Sequence, residues 1–345
     1  KELAKLRAGD ITGTDHAEIA KAAIKDMEVF GKIRFHLGQF WQWKGAAWKT
    51  IDQNEFVKHL AEEYSSLPAC KRYSDVSQIV KYMSGLLTNP LQTVALTGVN
   101  FANGFLTEDM ELRPHSPEYG CTYVLPYRYQ EDSRCPLFLQ MLDDCWGEDP
   151  DYGDKVMALQ EALAVTLMGI APRHQRAFCL IGQAHSGKSR ILEILKGLIP
   201  DGSHSAVPPT EWGDKFMPAQ MADKLVNFAG EISEKRDIDG SVFKEVVEGA
   251  EIEAQMKNQP IFRFRPKAAQ WFASNHTPKT KDTSEGFNRR WLFIKFPRRI
   301  PDEKKVIDID QIILAAEREQ IVAWALQALK RLKANKDFTI PSSHR

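Results

Sequence analysis

The run Ala177-Phe178-Cys179-Leu180-Ile181-Gly182-Gln183-Ala184-His185-Ser186-Gly187-Lys188-Ser189 decides how this chain is read. Its first five residues are apolar and bounded by glycine, which predicts a short buried strand. Gly182 to Ser189 then fits the pattern GxxxxGK[ST], and Arg190 to Leu198 continues with helical spacing. Strand, glycine-bearing loop and helix in that order make a cradle for phosphate. The glycines let backbone N–H groups close on an anion, at a helix N-terminus that already favours negative charge. Lys188 neutralises phosphate charge, and Ser189 offers a hydroxyl to Mg2+. Gln183, Ala184, His185 and Ser186 fill the variable positions of the loop.

Chemistry at a phosphate loop needs an acid on a neighbouring strand. Lys224-Leu225-Val226-Asn227-Phe228-Ala229-Gly230-Glu231 supplies one, 42 residues past Ser189. Alone, Glu231 would read as a solvated residue or a neighbour of a helix cap. With the loop upstream it reads as the acid that polarises water and holds Mg2+, directly or through water. Glu234 is a second candidate. Gln270-Trp271-Phe272-Ala273-Ser274-Asn275 reads as a third strand, ending in an amide. Asn275 alone is a turn residue; beside a phosphate loop it orients water or senses the terminal phosphate. Arg289 and Arg290 stand just before a fourth strand, Trp291 to Phe296. Such a pair is ordinarily a solvated patch, and gains a role only if a neighbouring subunit brings it to the phosphates.

The wider composition sets bounds. With 345 residues, 46 Lys+Arg and 46 Asp+Glu, the chain is neutral, and its length predicts two or three domains. The neutrality hides an imbalance. Residues 108–161 carry 13 acids and four basic residues, whereas 257–299 carry 11 basic residues and two acids. The basic segment either faces a phosphate backbone or pairs with the acidic one. The longest mostly apolar stretch, Ala162 to Pro172, is about half of a membrane span. Lys1 opens a charged run without an initiator Met, which reads as a piece of something longer with no signal peptide. Five scattered cysteines without a CxxC pair read as reduced thiols of a cytoplasmic protein.

Before the loop, helical spacing runs over 14–30, Gln53 to Tyr64 and Val76 to Leu87. A hairpin is predicted around Lys44-Gly45, between Phe40–Trp43 and Trp48–Ile51. Residues 95–130 read as loops and small strands, followed by helices over Pro136–Trp146 and Lys155–Met168. A final helix is expected over Ala315–Lys333. Gln255 to Phe264 reads as two short strands around Lys257-Asn258-Gln259-Pro260.

This order of elements resembles the superfamily 3 helicases. It is closest to the helicase part of phage- and plasmid-encoded primase-helicases and their poxvirus relatives. Besides the strands above, Phe101–Leu106, Arg113–Pro117, Leu125–Tyr129 and Cys135-Pro136 resemble the segment before that family's core, and Glu317–Leu326 its closing helix. The resemblance implies an α/β fold: an AAA+-like P-loop ATPase core at 171–300. An N-terminal, mainly helical collar domain (1–95), a linking segment (96–170) and a C-terminal helical segment (301–345) surround it.

The resemblance also implies roles. Gly182 to Ser189 corresponds to Walker A, Glu231 to the Walker B acid, Asn275 to sensor 1 and Arg290 to the arginine finger. Arg173 is a further cation that would act in trans. Gly230 departs from the family, in which many members carry a second acid. Lys257-Asn258 stands where papillomavirus and polyomavirus initiator helicases carry Lys-His on a DNA-contacting hairpin. The implied cofactors are ATP and Mg2+, and the implied partner is single-stranded or forked DNA. The implied assembly is a homo-hexamer moving 3′ to 5′, off the membrane, in the cytoplasm of the host cell if phage-encoded. The alternative is an ATP-dependent DNA-binding ring for origin melting or loading, without processive unwinding. No zinc or polymerase constellation stands out, so priming chemistry would lie in a domain upstream of Lys1.

Overall fold

Asp15 and Asp52 open the first two helices. Each carboxylate accepts a hydrogen bond from the backbone N–H two residues on, which satisfies an orphan donor of the first turn. The helices are α1 (His16–Met27) and α2 (Gln53–Glu63), joined by α3 (Tyr73–Leu86). Their apolar faces meet: Ile19 and Ala23, Phe56 and Leu60, and Ile79, Val80 and Met83 form one buried cluster. The predicted hairpin is present as β2 (Gln39–Trp43) and β3 (Trp48–Ile51), but β1 (Ile33–His36) adds a third antiparallel strand. Arg34 and His36 alternate with apolar residues over only four positions, too short a run to stand out. A second small sheet joins β4 (Gly98–Phe101), β5 (Gly104–Thr107) and β6 (Leu112–Arg113).

The computed structural model describes residues 13–36, 38–257 and 261–344. The first of two units holds the described residues up to 96 together with 100–126. It combines three helices with small antiparallel sheets, and it takes in 100–126 of the segment expected to link to the core.

The second unit holds 97–99 and the described residues from 127 onward. Its centre is a five-stranded sheet of β7 (Ala177–Gly182), β8 (His204–Ser205), β9 (Val226–Ala229), β12 (Ala269–Ser274) and β13 (Trp291–Phe296). An antiparallel hairpin of β10 (Ile252–Gln255) and β11 (Ile261–Phe264) stands apart. The sheet order is β13-β7-β12-β9-β8, with every pair parallel. β9 and β12 are buried along their whole length, as a parallel sheet covered on both faces requires. Asn227 inside it is satisfied by Ser205, Val207 and Gln270.

Eight helices of this unit follow in chain order: α4 (Pro136–Trp146), α5 (Tyr152–Leu167), α6 (Ala171–His174), α7 (Lys188–Leu198), α8 (Gly240–Glu248), α9 (Glu285–Asn288), α10 (Ile309–Leu326) and α11 (Ala328–Asn335). The expected single closing helix is therefore two, divided at Gln327. At the start of α4 no side chain of its own caps the helix. Glu317 of α10 accepts from Leu137 N at 2.8 Å and Phe138 N at 2.9 Å instead. The cysteines are free thiols, and among the described residues no helix is long and apolar enough to cross a membrane.

Candidate functional site

The strand register brings the distant candidates together. Ile181 on β7 lies beside Ser274 on β12, and Ala229 on β9 beside Phe272. Two residues past Ala229, Glu231 is therefore level with Ser274, next to Asn275 and the mouth of the loop. All three strands end there, and in open parallel sheets ligands bind beyond the carboxyl ends of strands. A cleft of about 570 Å³ is lined by residues 184–190, Glu193, Gly230, Glu231, Ala273, Ser274 and Asn275.

The loop is held open by two glycines. A Cβ at Gly182 would collide with the carbonyl of Phe296 on the neighbouring strand. Gly187 has φ +99° and stands immediately before α7, whose first N–H groups have no partner within the helix. His185 O accepts from Ile300 N at 3.0 Å, which ties the loop to the segment after β13. Lys188 is buried, and its ammonium donates to Gly182 O at 2.7 Å and Gln183 O at 2.6 Å, with Ser186 Oγ at 3.3 Å. Burial lowers its pKa, because little water is left to solvate the charge. An arriving phosphate would be a stronger partner than those carbonyls.

Glu231 and Asn275 are exposed in the cleft wall. Glu234, the second acid candidate, instead contacts His276 and does not line the cleft. Among the described residues no group of three His, Cys, Asp or Glu side chains is arranged to hold a metal. Ser189 and Glu231 are two oxygen donors in that lining, which also holds Glu193 and Asn275. A Cβ at Gly230 would meet nothing within 4 Å, so there is open space beside them. Two protein donors with room for water suit Mg2+, which keeps much of its hydration shell.

The arginines are elsewhere. Ala177 N donates to Arg290 O at 2.7 Å, so Arg290 lies where β7 begins. Five steps of about 3.3 Å along β7 put the glycine-bearing loop roughly 16 Å away. The Arg290 side chain is only 7% exposed; it pairs with Glu248 and donates to Gly286 O. Arg289 is exposed and donates to Gln175 Oε1 at 3.1 Å. Arg173, also exposed, donates to Thr97 Oγ1 at 2.5 Å. None of the three lines the cleft of its own chain.

Lys257 follows β10 at the turn of the predicted hairpin and is exposed; Asn258 lies outside the described residues. Glu253 and Arg263 pair across the two strands at 2.6 Å. Met256 and Ile261, on either side of the turn, are 44% and 63% exposed.

One part of the site was not anticipated. On the other flank of the loop an apolar cavity of about 480 Å³ is lined by Leu137, Met141, Ile300, Val306, Ile307 and Ile309, with His185, Gly187 and Arg190 shared with the cleft. Asp144 and Lys304 pair at its rim at 3.2 Å, and Arg190 pairs with Asp310 at 2.7 Å. Its walls come from three separated segments, so no local motif marks them. The one signal is Val306-Ile307, an apolar pair left 52% and 84% exposed after a charged run.

Comparison with known proteins finds two family matches. Residues 32–147 match a family described as "D5 N terminal like", and residues 180–290 match a family of unknown function (DUF5906). Among solved structures, the chain is similar to the apo C-terminal region (305–718) of NrS-1. The identity is 13% and the TM-score 0.59, over 88% of this chain and 68% of that one. An A-form apo structure of the same region matches at 14% identity and TM-score 0.57, with the same coverage. At such identities the likeness is one of fold.

Proposed function

We propose that this chain is the ATP-driven helicase part of a phage- or plasmid-type primase-helicase, of the superfamily 3 kind, acting as a homo-hexameric ring on single-stranded or forked DNA. The observation that carries this reading is the convergence of the phosphate loop, Glu231 and Asn275 on one cleft at the carboxyl ends of three parallel strands. The D5 N terminal-like match and the fold likeness to the NrS-1 region support it.

In this reading the loop amides and Lys188 hold the phosphates, and the ammonium moves from the loop carbonyls to phosphate oxygen. Glu231 takes the proton of the attacking water, and Asn275 orients that water. Ser189 and Glu231 would hold Mg2+, directly or through water; when bound, the ion offsets charge on the phosphates. The apolar cavity beside the loop takes the nucleobase, whose rings gain from leaving water. A cation from the neighbouring subunit completes the site. The Lys257 turn contacts DNA phosphate, and its movement follows the nucleotide cycle.

The test is ATP turnover with and without single-stranded DNA, alongside separation of a forked duplex. DNA-stimulated turnover that disappears in Lys188→Ala is expected. Glu231→Gln should bind nucleotide without hydrolysing it, because an amide accepts no proton from water. Turnover untouched by Lys188→Ala would refute the reading. Stimulated turnover without strand separation would favour a ring that melts or loads at an origin. Solution mass with nucleotide and DNA should give six copies.

A further inference from the structure

The cleft is short of positive charge. A nucleoside triphosphate brings about four negative charges; Mg2+ and Lys188 offset three of them. Arg190, the one arginine in the lining, is already paired with Asp310, and Glu193 and Glu231 are carboxylates of the same lining. Beyond what the loop amides offset, the cleft leaves room for a further cation from another subunit, carried on a side chain that can extend.

The family resemblance implies Arg290, but the geometry favours its neighbour. Arg290 turns inward: its guanidinium is spent on Glu248 and Gly286 O, and its buried Nε has no partner. Glu248 ends α8, where a carboxylate opposes the helix dipole, so Arg290 offsets a charge the fold itself creates. Withdrawing it would leave that carboxylate without its counter-charge.

Arg289 is arranged the opposite way. Its backbone is pinned at both ends. Its N–H donates to Glu285 O at 2.9 Å, and its carbonyl accepts from the guanidinium of Arg176, which is itself paired with Asp337 at 2.9 Å. Only the side chain is loose, exposed and held by one bond to Gln175 at 3.1 Å. A fixed backbone with an extendable guanidinium is what a cation acting on another molecule needs.

We infer that Arg289, rather than Arg290, is the residue one subunit presents to the terminal phosphate in its neighbour's cleft, with Arg290 and Glu248 forming the internal anchor that turns it outward. This rests on the ATPase-ring reading above.

The test uses the full chain and its variants. Arg289→Ala keeps the wild-type unfolding midpoint and binds nucleotide, yet loses about 10³-fold or more of its turnover. Mixed with Glu231→Gln, it recovers part of that turnover, because some interfaces then pair an intact Glu231 with an intact Arg289. Arg289→Lys retains more activity than Arg289→Ala. Arg290→Ala and Glu248→Gln both lower the unfolding midpoint. Wild-type turnover in Arg289→Ala, or no recovery on mixing despite demonstrated subunit exchange, overturns the assignment while leaving the ATPase reading intact. Wild-type turnover insensitive to Lys188→Ala overturns both.

Discussion

Replacing Gly187 with Ala perturbs the loop where it is most tightly packed. The residue has φ +99°, a conformation that a side chain rarely adopts, and holding alanine there costs about 1–3 kcal/mol. The added Cβ would also lie 2.5 Å from the Sγ of buried Cys145 and 3.4 Å from Ile300 Cδ1. Overpacking of that kind costs about 1–3 kcal/mol more. The sum is about 2–6 kcal/mol. The two parts separate in a double-mutant cycle, because Cys145→Ala removes the clashing sulfur and leaves the backbone strain. The double variant should therefore recover about 1–3 kcal/mol relative to the sum of the singles. The assay is urea unfolding, combined with hydrogen exchange of the Ala177–Gly182 amides, which reports on this unit alone. Nucleotide affinity should follow the same order, weakest in Gly187→Ala and partly restored in the double variant. Strictly additive energies would refute the argument that Cys145 and the loop glycine are packed against each other.

Two further outcomes are expected. Ile307→Asp, at a side chain 84% exposed, should leave folding intact and weaken nucleoside triphosphate binding by about 10-fold or more while sparing inorganic triphosphate. Equal losses for both ligands in a binding titration would remove the nucleobase from the apolar cavity. Lys257→Ala should make the dependence of DNA affinity on salt shallower, by about 0.7 in the log–log slope for each lost phosphate contact. An unchanged slope across a salt titration would remove the hairpin turn from the DNA path.

Contiguous signals were legible in the amino-acid sequence. The strand, loop and helix from Ala177 to Leu198 read directly, because this loop is built from neighbouring residues and its glycines answer to local backbone geometry. The hairpin around Lys257 and the amphipathic helices of the first unit read for the same reason, since side-chain periodicity is a local property. What the tertiary structure alone decided involves residues distant along the chain. Strand order and register bring Glu231 and Asn275 to the loop, and nothing within either strand specifies its neighbours. The apolar cavity is assembled from 137–144, 185–190 and 300–309, and Glu317 caps a helix 180 positions before it. The two adjacent arginines show the limit most sharply. In sequence they are chemically identical, and a family pattern selects Arg290. In the fold Arg289 caps the short α9 and faces solvent, while Arg290, one residue further round that turn, faces Glu248, and only packing against α8 determines which side is the interior.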